Sequence, residues 1–156
     1  TQRWKVEIHL TDKSSLQTKV EFSRRAEKID YETGIPNAEL LNLYKMSPFA
    51  AQFYSPVSMA VQKIKAMACD SRSATRDLFD LHHLFFFIGV KSVDAARLVS
   101  SDEIKSAAEK AGRFTYQDFK KQVLGYLTDD LQILYKNSQA FEKLKEEVEG
   151  ALMRHI

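Results

Sequence analysis

The apolar residues of this chain change period once, and that switch limits the folds open to it. Near the start they alternate. Trp4, Val6, Ile8 and Leu10 interleave with Lys5, Glu7 and His9, and Leu16, Val20 and Phe22 stand among Gln17, Lys19, Glu21 and Ser23. A period of two with one apolar face predicts a strand pair joined by the polar turn Thr11–Ser15. Residues 24–37 are charged and end in Gly34-Ile35-Pro36-Asn37, a loop signature. Asn37 is placed to cap a short helix, 38–46, with Leu40, Leu41 and Tyr44 inward, and Phe49–Tyr54, between Pro48 and Pro56, predicts a third strand.

From residue 57 the spacing becomes helical. Val57, Ala60, Val61, Ile64, Met67 and Ala68 form one stripe of a helix over 57–69. Ser73 or Thr75 is expected to cap the next helix, 75–88, and Asp77 in its first turn suits the helix dipole. Ser92, and Ser100 or Ser101, are expected to cap shorter helices over about 92–98 and 101–111, and Gly112 to stop the second. Thr115-Tyr-Gln-Asp resembles a capping box opening a helix to about Tyr126; Thr128 and Ser138 start the last two. The expected fold is α+β and mostly helical, with a β-containing part over residues 1–56 and a helical bundle over 57–156.

Composition narrows the functional classes. The longest apolar run, Leu84–Val90, is seven residues and far short of a membrane span. Cys69, the single cysteine, excludes an internal disulfide framework and fits a reducing cytoplasm; on a helix over 57–69 it is expected to be inert. A formal net charge of +2 gives no case for bulk nucleic-acid binding. Residues 59–76 nonetheless hold Lys63, Lys65, Arg72 and Arg76 against Asp70 alone, a local excess that attracts phosphates or simply faces water.

That same stretch carries the candidate chemistry. Lys63 lies on one amphipathic helix, and the next opens with Arg76-Asp77 and brings Asp80 one turn later. Carboxylates beside a core are costly unless paired or used. In one reading Asp77 serves the helix start, Arg76 pairs with a neighbour and Asp80 makes a structural salt bridge. In the other, a tight connection over Cys69–Ala74 brings Lys63 to the same carboxylates, where a compact ammonium suits a triphosphate and an aspartate holds Mg²⁺ or orients an attacking hydroxyl. His82 and His83 with Asp80 form a weak metal pattern, the alternative being one surface histidine and one wedged against the bundle. Glu21 falls on the polar strand face, Phe85-Phe86-Phe87 reads as a core junction, and Tyr116 and Phe119 as packing residues. No Gly-rich phosphate loop, nucleophile elbow, CxxC pair or zincin helix is present.

The run Tyr54-x4-Met59-Ala60-x-Gln62-Lys63-Ile64-x-Ala66-Met67, then Arg72, Arg76-Asp77-Leu78-Phe79-Asp80-Leu81 and Leu84, resembles the AbiEii/AbiGii toxin family, nucleotidyltransferase-like proteins of bacterial toxin–antitoxin and phage-defence (abortive infection) systems. Lys19-Val20-Glu21-Phe22-Ser23 is similar to an upstream strand of that family. The resemblance implies transfer of a nucleoside monophosphate from an NTP to a hydroxyl, with tRNA or another RNA as acceptor, Mg²⁺ as cofactor and an antitoxin as partner. It implies that Lys63 binds nucleotide phosphate with Arg72 and Arg76, that Asp77 or Asp80 is an active-site carboxylate, and that Glu21 stands beside the metal. The family's metal-binding half carries a Gly-Ser or Gly-Gly turn and a D-x-D strand, and neither is in this sequence. With Thr1 as its first residue, the chain is expected to be the C-terminal portion of a family member, inactive alone, the alternative being a diverged, non-catalytic homologue. The rival readings are a non-catalytic helical interaction module, in which the same charges brace two helices, and an RNA-binding accessory domain.

Overall fold

The computed structural model describes residues 2–9, 11–22, 30–71 and 75–156, with the backbone alone at position 16. Leu10, Ser23, Arg24, Arg25, Arg72 and Ser73 therefore lie outside the described residues. Strands β1 (Gln2–His9) and β2 (Ser15–Phe22) form an antiparallel hairpin with Trp4 opposite Val20 and Arg3 opposite Glu21. Its apolar face is not covered: Trp4, Val6, Ile8, Val20 and Phe22 are all exposed, with Trp4 and Phe22 meeting edge to face at 5.3 Å.

A second antiparallel pair joins β3 (Tyr31–Gly34) to β4 (Ala51–Tyr54), with α1 (Ala38–Leu43) between them. β3 corrects the loop expected over 24–37. A Tyr31–Tyr54 cross-strand contact at 5.4 Å and the register to β4 make it a strand that its charged sequence does not announce. In α1, Asn37 does cap, accepting from the Glu39 amide, but only Leu41 is buried; Leu40 and Tyr44 face out.

The remainder is helical, which makes the fold α+β and mostly helical: α2 (Pro56–Ala68), α3 (Thr75–Phe86), α4 (Ser92–Ala96), α5 (Ser101–Arg113), α6 (Tyr116–Gln122), α7 (Asp129–Leu134) and α8 (Ser138–Met153). Local chemistry sets the ends. Ser55 accepts from the Ser58 amide with Pro56 in the first turn of α2, and Ser100 with Glu103 and Thr115 with Asp118 make reciprocal capping boxes on α5 and α6. α3 ends where Gly89, at φ +84°, lets the Val90 amide reach back to Leu84 O at 2.9 Å.

Several boundaries differ from expectation: α1 stops at Leu43, β4 starts at Ala51, α3 ends at Phe86, and α4 ends at Ala96 with Lys91 rather than Ser92 at its cap position. α5 runs through Gly112 to Arg113, and the helix expected to Tyr126 gives way after Gln122 to a 3-10 turn, Leu124–Tyr126, whereas α8 opens at Ser138 as expected, with Asn137 as its cap. The core is a continuous contact set among α2, α3, α5, α6 and α8, including Ile64, Met67, Leu78, Leu81, Phe119 and Phe141. Ala107, Ala108 and Ala111 keep the packed side of α5 small, so it lies close against both α2 and α8.

Candidate phosphate-binding site

The site is assembled at the start of α3. Phe79 packs against Phe119 and Tyr135, and Phe119 against Phe141, with ring centroids 5.1–6.1 Å apart. This aromatic cluster fixes the rotation of α3 against α6 and α8. Thr75 is buried as the first residue of the helix rather than acting as its cap, and its backbone N–H donates to Gln122 Oε1 at 3.2 Å. A helix-start donor is thus satisfied from 47 residues away.

On this frame Asp77 and Asp80 stack one turn apart, and Lys63 reaches them from α2. Its Nζ lies 3.0 Å from Asp77 Oδ1 and 2.5 Å from Asp80 Oδ2. Exposure grades the three side chains: Asp77 is 1% exposed, Lys63 31% and Asp80 41%. Burial alone pulls the Lys63 pKa down, but the hydrogen bonds and charges of Asp80 and Asp77 outweigh it, and the ammonium is held above the ordinary lysine value. Lys63 is therefore held as an ammonium, anchored from inside by buried Asp77 and reaching solvent along its Asp80 side.

Next to Asp80 lies a cavity of about 300 Å³ between α3, α6 and the 3-10 turn. Phe79, Val123 and Leu127 supply its apolar lining, and Arg76, Gln122 and Tyr126 also border it. Arg76 is exposed on the helix face that carries Asp80 one turn on. The expected sequence motif pointed to neither Gln122 nor Tyr126, because their place beside Asp80 follows only from the packing of α6.

Other candidate residues stand elsewhere. Glu21 is on the hairpin, paired with Arg3 and, at 3.5 Å, with Lys19. Arg72 is outside the described residues. His82 is buried with Nε2 2.8 Å from Glu147 Oε2 on α8, while exposed His83 stacks on Phe87; neither turns to Asp80 in these contacts. Phe85 is buried but Phe86 and Phe87 are exposed, so only one ring of the Phe run serves the core. Cys69 also departs from expectation: it follows α2 as an exposed cap, 3.2 Å from Ser71 Oγ, and hydrogen bonds from Ser71 lower its thiol pKa.

The Mg²⁺ implied by the resemblance does not fit this donor set. Asp77 and Asp80 already direct an oxygen each to the Lys63 ammonium, and a dication on those oxygens would face that charge at close range. Among the described residues, no three His, Cys, Asp or Glu side chains are grouped to hold a metal ion. No helix among the described residues is long and apolar enough to cross a membrane.

No curated protein and no solved structure matches the chain. A family model does match, over residues 1–153: the nucleotidyl transferase AbiEii toxin of type IV toxin–antitoxin systems. The chain belongs to that family.

Proposed function

We propose that the Lys63–Asp77–Asp80 cluster is the phosphate-binding and proton-handling part of a nucleotidyltransferase toxin. One observation carries this reading: an ammonium held by two carboxylates, with the buried one on its inner side and the accessible one beside a cavity. Family membership supports an NTP as substrate and an antitoxin as partner. Lys63 would engage the triphosphate as a compact charge, Arg76 would add a second cation at the cavity edge, and Arg72 is kept in the same role from the sequence resemblance. Asp77, being buried, acts by positioning Lys63, which leaves Asp80 as the carboxylate able to meet substrate.

In the reaction an acceptor hydroxyl oxygen bonds the α-phosphorus, the bond to the bridging oxygen breaks, and pyrophosphate leaves. Asp80 would take the hydroxyl proton. An RNA end such as that of tRNA is the proposed acceptor. Residues 57–156 form the proposed helical domain and residues 1–56 the β-containing part, in which Glu21 is retained as a candidate acidic residue. Nucleotidyl transfer generally also uses a divalent metal, and the Lys63 cluster supplies no seat for one. A cytoplasmic role in phage defence completes the proposal.

A second reading has its own observation. Burial of Asp77 makes Lys63 a brace between α2 and α3, since an uncompensated buried carboxylate is costly. Thermal unfolding with each NTP, with and without Mg²⁺, separates the two. A ligand bound by the folded state alone raises the midpoint. The transferase reading expects a rise with NTP that Lys63→Ala abolishes, and a brace expects no rise with any nucleotide and a lower midpoint in the variant.

A further inference from the structure

The geometry points to the cavity beside Asp80 as a nucleobase subsite, with Tyr126 as its stacking ring. This rests on the reading of Lys63 as the phosphate ligand and adds the part of the nucleotide that Lys63 cannot recognise. The cavity, about 300 Å³, is lined by Phe79, Val123 and Leu127 and bordered by polar groups, the combination that small flat ligands require. Tyr126 is 85% exposed on its 3-10 turn, so its ring is not a core element, yet it borders the cavity. Base–aromatic stacking needs such a ring.

Two further groups set the edge chemistry. Gln122 Oε1 is committed to the Thr75 amide at 3.2 Å, which orients the side chain and leaves its NH₂ as a donor pair. The Arg76 guanidinium, donor only, borders the same cavity. Donors from Arg76 and Gln122, with the Asp80 carboxylate as an acceptor on the same cavity, favour a base edge that combines carbonyl acceptors with a ring N–H, as in guanine or uracil, over adenine. Asp80 touches the Lys63 ammonium and lines the cavity, so one nucleotide can span the two with its phosphates on Lys63 and its base in the cavity.

Amide-resolved NMR of the whole chain tests this with three probes: inorganic tripolyphosphate, uridine and UTP. UTP is expected to move the signals of residues flanking Lys63 together with those of Val123, Tyr126 and Leu127. Tripolyphosphate should move only the first group, and uridine only the second. Tyr126→Ala, a change at a solvent-exposed ring, is expected to weaken UTP about tenfold and leave tripolyphosphate unchanged; ATP should bind more weakly than UTP. If UTP moves the Lys63 group alone, or Tyr126→Ala binds UTP like the parent chain, the subsite is wrong while the phosphate reading stands. If uridine moves the Tyr126 group but tripolyphosphate moves nothing near Lys63, the phosphate reading fails and the cavity remains. Silence with all three probes overturns both.

Discussion

The hairpin β1–β2 and the helices from α2 onward use comparable apolar residues to opposite effect. In the helices, Phe119, Phe141 and Leu81 are fully enclosed, whereas in the hairpin Trp4, Val6, Ile8, Val20 and Phe22 stay in contact with water. A lone two-stranded hairpin is marginal in water, and apolar side chains left exposed contribute little to its stability. The helical part is different: its packing can meet the cost of placing Asp77 at 1% exposure, because the aromatic cluster fixes α3 and Lys63 supplies the countercharge. Sequence patterning is equally clear in both regions; only enclosure separates the one that can preorganise charges from the one that cannot.

The largest way to break this contrast is to truncate one ring in each region. Phe119→Ala is expected to cost about 3–5 kcal/mol in urea unfolding, and Trp4→Ala under about 1 kcal/mol. Equal costs would mean that the hairpin face is enclosed after all. Next, Asp77→Asn removes the inner half of the ion pair and leaves Lys63 with Asp80 alone; the expected cost is about 1–3 kcal/mol, read from the same denaturant midpoint. A smaller effect follows from Ser100→Ala, which removes the capping box of α5 and should cost about 1 kcal/mol, with helix content otherwise unchanged by circular dichroism.

The smallest effect is in the pH profile. Lys63 is held above its ordinary pKa, so its stabilisation is complete below the unfolded-state value of about 10.4 and is lost as pH climbs through the folded value. Tyr135 acts in the same direction: burial, and then Glu147, raise its pKa, so the folded state resists a deprotonation that the unfolded chain undergoes near pH 10. Stability should therefore fall on the alkaline side, and Lys63→Met should flatten that limb. An identical alkaline limb in the variant would remove Lys63 from the explanation.

The helices and the meeting of Lys63 with Asp77 and Asp80 were legible because 3.6-residue periodicity and a short inter-helix connection are local signals. β3 was not, since Tyr31-Glu32-Thr33-Gly34 has no apolar alternation and becomes a strand only by pairing with β4. Gly112 misled for a related reason. It is exposed on a helix whose Ala107, Ala108 and Ala111 are packed on α2 and α8, and that packing carries the helix past it. Gln122 and Tyr126 were invisible because their role beside α3 depends on a contact between distant segments. Motif resemblance named the lysine and both aspartates; the division between a buried positioning carboxylate and an accessible one came from burial alone.

Whether the cluster binds phosphate or only braces helices is best measured by titrating UTP into the double variant Lys63→Met/Asp77→Asn alongside the parent chain, with urea unfolding of both. Removing the two charges together strands neither, so stability is expected to stay within about 1 kcal/mol of the parent. Phosphate binding at Lys63 requires UTP affinity to fall by at least about tenfold, the loss of one charge-assisted contact. UTP affinity that is unchanged in the double variant would contradict it and leave Lys63 as a brace.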